Sequence, residues 1–245
     1  MASTAPAGTN ASSSPVLSEK SRTARRPAHG WANARCLTRT LTQEIASLVA
    51  PPRCAACGLP CSPEETICPA CERELSAAAP LIEPGPSGVD LAVSAGDFEG
   101  VTRAVAHGLK FGRRLALGEV AAGAIARACP AEDLRGSLVP VPAAPWRWRW
   151  RGFDPAEEIA LSLAGLTGLP HRPCLRRDRG SRQVGRPRAE RLADPPRVWA
   201  RGPVPSEVLL VDDVHTTGAT LAACARALRD SGCARVVALT LARVA

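Results

Sequence analysis

The chain has 245 residues, which is enough for one well-buried domain with an appendage. Its formal net charge is +8, but residues 1–53 contain seven Lys/Arg and two Glu, so five of these eight positive charges lie in that segment. Basicity alone is therefore weak evidence for nucleic-acid binding. The absence of an apolar run of about 20 residues argues against a membrane span, and ten cysteines, five of them in one cluster, favour metal-bound thiols. We therefore expect a soluble, cytoplasmic protein.

The N-terminal segment divides into two parts. Residues 1–35 are rich in Ala, Ser, Thr, Pro and Arg and lack a hydrophobic period, which predicts a disordered extension. Residues 36–53 are expected to form a short amphipathic helix and a linker, with Pro51 and Pro52 ending the helix. The apolar residues that recur at helical spacing are Leu37, Leu41, Ile45, Leu48 and Val49.

A cysteine-rich segment follows at residues 54–75, with the spacing Cys54-x2-Cys57-x3-Cys61-x6-Cys68-x2-Cys71. Two CxxC pairs joined by ten residues are typical of a four-cysteine zinc ribbon, because each pair offers two thiolates to one tetrahedral ion. We choose Cys54, Cys57, Cys68 and Cys71 as ligands, and Cys61 is either a spare thiol or an alternative to Cys57. The chosen ligand set contains no His, Asp or Glu and leaves no open coordination position on the metal. The zinc is therefore expected to be structural.

The other five cysteines lie singly in apolar contexts, which favours a role as small core residues. They are Cys36, Cys129, Cys174, Cys224 and Cys233.

Residues 76–90 are predicted to be a linker, since alanines are followed there by prolines and glycines. An α/β domain is expected over residues 91–245. It begins with a short strand at Leu91–Ser94 and helices at Gly100–Leu109 and Leu115–Ala128. Lys110 lies in the break between these helices, as either a solvated surface lysine or a cation that faces a ligand.

A second strand is predicted at Leu138–Pro142, followed by alternating tryptophans and arginines from Trp146 to Arg151. Guanidinium groups directly after a strand suit phosphate or pyrophosphate, and tryptophan faces suit stacking on single-stranded nucleic acid. An exposed amphipathic strand is the alternative. Pro155–Ala164 is predicted to be the next helix. The candidate pyrophosphate-binding residues are Arg147, Arg149, Arg151 and Gly152.

Residues 171–191 contain eight arginines without an apolar period, which predicts a mobile loop that is able to close over a reaction centre. A merely solvated basic loop is the alternative.

The most informative stretch runs from Glu207 to Leu221. Val208–Val211 predicts a strand buried on both faces, and Leu221–Leu228 predicts a helix. Asp212 and Asp213 are expected at the carboxyl end of that strand, where two acids suit sugar hydroxyls or Mg²⁺. The small residues that follow would offer hydroxyls and free N–H groups to a phosphate at the helix N-terminus. These residues are Thr216, Thr217, Gly218, Ala219 and Thr220.

This order of apolar strand, Asp-Asp and Thr-Thr-Gly-Ala-Thr resembles the phosphoribosyl-pyrophosphate (PRPP) loop of type I phosphoribosyltransferases. The resemblance implies that Asp212 and Asp213 hold the ribose hydroxyls and that residues 216–220 hold the 5′-phosphate. It also implies a mainly parallel sheet flanked by helices, completed here by a final strand at Val236–Leu241.

A second resemblance is to the ComF-like branch of these transferases, carried by Val139-Pro-Val-Pro142, Arg151-Gly-Phe153 and the preceding cysteine segment. It implies a flexible loop that includes Arg182, Gln183, Arg188 and Arg191. The chain departs from the family's usual Arg-Gly-Phe-Asn-Gln at Asp154 and Pro155. An acid there repels pyrophosphate unless it caps the helix or meets Mg²⁺.

These resemblances imply a Mg²⁺-dependent phosphoribosyltransferase, a pentosyl glycosyltransferase that displaces pyrophosphate at ribose C1. The alternative is a competence-type DNA-uptake accessory that binds single-stranded DNA, works with competence-machinery proteins and keeps a regulatory or vestigial PRPP site.

Overall fold

The chain combines strands and helices in a mixed order. The computed structural model describes residues 52–111, 114–144, 152–178 and 196–244. The predicted N-terminal extension and its helix lie outside these ranges. The elements, in order, are α1 (Pro69–Ala77), β1 (Leu81–Glu83), β2 (Leu91–Ser94), α2 (Gly100–Phe111), α3 (Leu117–Ala128), β3 (Ser137–Pro140), α4 (Pro155–Thr167), β4 (Leu175–Arg177), β5 (Val198–Ala200), β6 (Glu207–His215), α5 (Ala219–Asp230) and β7 (Arg235–Arg243).

The central sheet has five strands in the order β1-β2-β7-β6-β3. Neighbours among β2, β7, β6 and β3 pair in parallel, and only β1, at one edge, is antiparallel to its neighbour. β4 and β5 form a separate antiparallel pair. The predicted α/β class with a mostly parallel sheet is therefore confirmed.

Two hydrophobic layers cover the sheet because side chains alternate between its faces along each strand. On β6, Leu209 and Val211 pack with residues of α2, α3 and α4, whereas Val208 and Leu210 pack with α5 and the β4-β5 pair. All four are at most 1% exposed. This confirms the prediction that the apolar run fills a strand buried on both faces.

α5 packs on the sheet through one apolar face. Its buried residues are Leu221, Cys224, Ala225, Ala227 and Leu228, and four of them follow the i, i+3, i+4, i+7 spacing of one helix face. Burying a leucine fully contributes roughly 1.5–3 kcal/mol. The two leucines of this face therefore contribute strongly to holding α5 against the sheet.

Four of the five single cysteines are buried, as predicted: Cys129, Cys174, Cys224 and Cys233. Cys36 lies outside the described residues.

The linker prediction for residues 76–90 was wrong for Leu81–Glu83, which form β1 and pair with β2 from Leu81↔Ser94 to Glu83↔Ala92. Three residues between Pro80 and Pro84 are too few to show the alternation that predicts a strand. The cysteine segment also contains the start of a helix, α1, that continues to Ala77. Within the described ranges, no helix is long and apolar enough to cross a membrane.

Candidate functional site

Four cysteines converge at the N-terminal end of the described chain. Cys54 and Cys57 lie in a turn closed by a hydrogen bond from Gly58 N–H to Cys54 O (3.0 Å). Cys68 is the N-cap of α1 and Cys71 lies in its first turn, with Pro69 in the favoured first helical position. One pair is thus held by a turn and the other by a helix start.

The sulfur geometry suits a tetrahedral ion. The Sγ atoms all lie within 4.8 Å of one another, with Cys54–Cys71 at 3.7 Å and Cys57–Cys68 at 3.8 Å. A tetrahedral zinc with Zn–S bonds of about 2.3 Å sets its sulfurs about 3.8 Å apart. The predicted four-cysteine cluster is therefore confirmed, and these residues are able to hold a metal ion such as zinc.

Backbone donors favour thiolate at one member of this cluster. Burial disfavours ionisation of the Cys54 thiol, but N–H groups of Cys57, Cys68 and Ala56 outweigh it and lower its pKa to about 6. Cys61 lies outside the cluster, and its Sγ donates to Glu65 O (3.6 Å). The choice that the sequence left open between Cys57 and Cys61 therefore goes to Cys57.

The cysteine cluster is packed against the α/β core. Cys54, Cys68 and Cys71 belong to the same hydrophobic cluster as Leu109 of α2 and Ile125 of α3. α1 is also joined to α2 by a hydrogen bond from Val101 N–H to Glu74 Oε1 (3.0 Å). Loss of the cluster would therefore expose part of this shared core.

The second candidate site lies where β6 continues past its neighbour β3. The β3-β6 pairing ends at Pro140↔Val211, whereas β6 stays paired with β7 as far as His215↔Arg243. Asp212 and Asp213 therefore lie in the second half of β6, which continues beyond them to His215. The polar side chains of the two acids interrupt the apolar pattern that predicts a strand. The strand continues because its backbone stays hydrogen-bonded to β7.

The two acids take different environments because consecutive strand residues point to opposite faces. Asp213 is buried, and its Oδ2 lies 3.0 Å from Lys110 Nζ on the α2 side. Lys110 belongs to the last turn of α2 rather than to the break after it. This ion pair argues against a merely solvated surface lysine, and a ligand-facing role for Lys110 stays a prediction.

Asp212 is held differently. Its Oδ1 accepts a hydrogen bond from Asp213 N–H (2.8 Å). Burial raises the pKa of the Asp212 carboxyl well above its usual range, and the adjacent Asp213 charge raises it further, against the opposing effect of Lys110. Burial and the Asp213 charge therefore oppose ionisation of Asp212, and the Lys110 ammonium favours it.

A third carboxyl group, that of Asp154, lies near enough to Asp213 to feel its charge. It is the N-cap of α4: Oδ1 accepts from Ala156 N–H (3.1 Å) and Oδ2 accepts from Ala143 N–H (2.8 Å). Burial nevertheless raises the pKa of Asp154 to about 6. Asp154 therefore meets the helix-cap condition under which an acid is tolerated at this position.

The Thr/Gly segment forms the turn between β6 and α5. Gly218 is the N-cap with φ +73°, a conformation that glycine adopts without strain, and no side chain caps the helix there. Thr217 Oγ1 accepts from Ala219 N–H (3.4 Å). α5 begins at Ala219 rather than at Leu221, so Ala219 and Thr220 lie in its first turn, where backbone N–H groups favour an anion.

The residues that anchor this turn have no local signal in the sequence. Arg243 at the end of β7 donates from Nη1 to Thr216 O (2.5 Å) and from Nε to Glu83 Oε1 (2.8 Å). A Cβ added to Gly218 would lie 3.0 Å from Pro86 Cβ. Pro86, in the segment predicted as a linker, therefore packs against the turn. The pairing of β1 with β2 places this segment there.

His215, the last residue of β6, is buried beside this network. Its Nδ1 lies 3.8 Å from Glu83 Oε1. Burial lowers the pKa of His215, as does the nearby Arg243, while Glu83 opposes them. A neutral imidazole is therefore favoured directly before the turn.

The chain matches no protein-family model and no curated protein.

Several predicted site residues fall outside the described ranges. They are Arg147, Arg149 and Arg151 of the Trp/Arg run, and Arg182, Gln183, Arg188 and Arg191 of the arginine-rich loop. Gly152 is described: it is exposed, with φ +80°, two residues before the Asp154 cap.

The carboxyl groups of Asp154, Asp212 and Asp213, called the acid edge below, suit Mg²⁺ as an ion that the protein binds only in part. Asp213 Oδ2 is a buried, hard oxygen, of the type that Mg²⁺ prefers, and its charge is now met by the ammonium of Lys110. Among the residues that the structure describes, only the four cysteines form a group of three or more side chains able to hold a metal. The acids therefore offer one or two ligands, as is usual where substrate phosphates complete the Mg²⁺ shell.

Proposed function

We propose that the chain is a ComF-like, Mg²⁺-dependent phosphoribosyltransferase that binds PRPP and displaces pyrophosphate at ribose C1. One observation carries this proposal. Two acids at residues 212–213 and the helix N-terminus at Gly218 are joined by a short turn at the carboxyl end of β6, in a mostly parallel sheet. Ligands of α/β proteins bind outside the carboxyl ends of such strands.

The spacing suits the two ends of a ribose 5-phosphate. Carboxylates at 212–213 would accept hydrogen bonds from ribose hydroxyls, and the N–H groups and hydroxyls of residues 216–220 would bind the 5′-phosphate. The arginines of residues 147–151 would bind the pyrophosphate as it leaves. Bound Mg²⁺ would supply charge neutralisation of the phosphates.

Catalysis by this arrangement would consist mainly of positioning and charge stabilisation. PRPP carries its own leaving group, so the protein has to hold C1 open to the incoming nucleophile and to stabilise the charge that develops as pyrophosphate departs. Lys110 and the arginines of residues 147–151 are the cations available for the second task.

Calorimetric titration with PRPP and Mg²⁺ tests the proposal. Asp213→Asn should weaken binding at least about tenfold, because it removes a charged acceptor from a desolvated site. Asp230→Asn, an exposed acid at the far end of α5, is the matched control and should bind like the wild type. Wild-type protein that ignores millimolar PRPP in the presence of Mg²⁺ would refute the proposal.

We also propose that the four-cysteine cluster holds one structural zinc ion. The sulfur spacing and the N–H donors at Cys54 support it. All four ligands are thiolates, so no coordination position is left for a substrate.

Single-stranded DNA binding is a second candidate, supported by the alternation of tryptophan and arginine at residues 146–151. In that case the acids should be dispensable. Asp213→Asn should leave DNA affinity unchanged, whereas alanine at Arg147, Arg149 and Arg151 should weaken it.

Salt dependence separates the two contributions to DNA binding. The log–log salt slope should be about −0.7 for each neutralised phosphate. Trp148→Ala should lower affinity without changing this slope, because stacking contributes roughly 1–3 kcal/mol per base independently of counterions. A fluorescence titration without binding at low salt would exclude this function and any direct role in DNA handling beside competence-machinery proteins.

A further inference from the structure

The contact between Lys110 and Asp213 joins α2 to the acid edge of β6. Lys110 Nζ lies 3.0 Å from Asp213 Oδ2, and no other donor among the described residues makes a hydrogen bond to that oxygen. The Asp213 side chain is only 9% exposed. A buried carboxylate of this kind depends on its cation, because removing one partner leaves an uncompensated buried charge.

Lys110 itself is not fixed in the core. Its side chain is 26% exposed, and it lies one residue before the end of α2. The packing of this turn is supplied by Val105 and Leu109, both fully buried. The ammonium therefore sits on a long, flexible stem and is able to leave Asp213 without disturbing the helix contact.

The place that Lys110 occupies is also the place where a ligand cation would bind. A divalent ion coordinated by Asp213 needs the oxygen that now faces the ammonium, and two cations at one carboxylate repel each other. A ligand that brings Mg²⁺ together with phosphate oxygens supplies both the replacement cation for Asp213 and a new anionic partner for Lys110.

We propose that Lys110 is an exchangeable cation of the acid site. It neutralises Asp213 when no ligand is bound, yields the carboxylate to a divalent cation, and then pairs with an anionic oxygen of the phosphorylated ligand. The inference rests on the proposed function and adds to it a binding residue that changes partner.

Divalent-ion binding without PRPP tests the first half of the exchange. Mn²⁺, followed by electron paramagnetic resonance of zinc-loaded protein, should bind Lys110→Met about tenfold more tightly than wild type, since the competing charge is gone. Lys110→Arg keeps the charge and should stay near wild type. Adding Asp213→Asn to Lys110→Met should abolish the gain. Equal Mn²⁺ affinity in Lys110→Met and wild type would overturn the proposal.

The two lysines of the chain, Lys20 and Lys110, allow the second half to be observed in otherwise native protein. Reductive ¹³C-methylation keeps the lysine charge, and Lys20→Arg assigns the two dimethyl-lysine resonances. The Lys110 resonance should shift when Mg²⁺ is added without Mn²⁺, and should shift again when PRPP is then added. The Lys20 resonance should not move. This measurement needs no substitution at Lys110, so it holds even if Lys110→Met fails to fold.

Failure of this inference is distinguishable from failure of the proposed function. If PRPP binds with Mg²⁺ but the Lys110 resonance does not move, Lys110 is a static structural partner and the exchange is refuted. If PRPP does not bind but Lys110→Met still binds Mn²⁺ more tightly through Asp213, the function falls and the competition for Asp213 stands.

Discussion

Asp154 allows a quantitative test of how the acid edge is built. Its carboxyl caps α4 through two backbone N–H groups, which favour the ionised form, yet its burial favours the neutral form more strongly. A pKa of about 6, compared with the ordinary 3.8, means that the folded protein binds this proton more tightly than the unfolded chain does. The stability that Asp154 contributes is therefore fully present below about pH 4 and is lost as pH rises through about 6.

The shift of about two pKa units corresponds to about 3 kcal/mol, at 1.36 kcal/mol per unit. Asp154→Asn removes this titration and keeps one oxygen that is able to accept a cap hydrogen bond. We expect the variant to be about as stable as wild type near pH 4. Its stability relative to wild type should then rise by about 2–3 kcal/mol by pH 7.

Urea unfolding of both proteins at steps between pH 4 and pH 7.5 measures this difference, in which the titrations of all unchanged groups cancel. Asp230→Asn, an exposed acid, should give a difference that stays flat within about 0.5 kcal/mol. A flat difference for Asp154→Asn as well would refute the reasoning. A difference of opposite sign would show that the two N–H donors outweigh burial.

Three further outcomes are expected. Cys71→Ser should reduce bound zinc, measured by metal analysis, from one ion per chain to none, whereas Cys61→Ser should retain the ion. Cys71→Ser should also lower the urea midpoint of the whole α/β unit, because the cysteine cluster shares its hydrophobic core. Gly218→Ala should lower the free energy of unfolding by about 1–2 kcal/mol, because φ is +73° there, and unchanged stability would contradict this. Leu210→Ala should cost about 2–5 kcal/mol in urea unfolding, whereas the exposed Leu166→Ala should stay within about 0.5 kcal/mol.

Local patterns determined much of the architecture before any tertiary contact was known. The apolar run at Val208–Val211 and the helical spacing of Leu221 to Leu228 depend on periodicities that a strand and a helix impose on their own residues. The two CxxC pairs likewise identify the cluster of Cys54, Cys57, Cys68 and Cys71, because two residues between thiols suit a single ion. In each case the signal lies within one element or one short repeat.

The tertiary structure decided which charges meet. Lys110 reaches Asp213 across 103 positions of the chain, and Arg243 reaches Glu83 across 160. Neither pair shares an element or a spacing, so only the packing of α2 on the sheet and the pairing of β1 with β2 could bring them together. The same holds for the length of β6, which extends to His215 because β7 continues beside it. Hydrogen-bond ladders join segments that are distant in the chain, so no local periodicity in the sequence predicts them. The positions of the acid-edge side chains depend on these ladders.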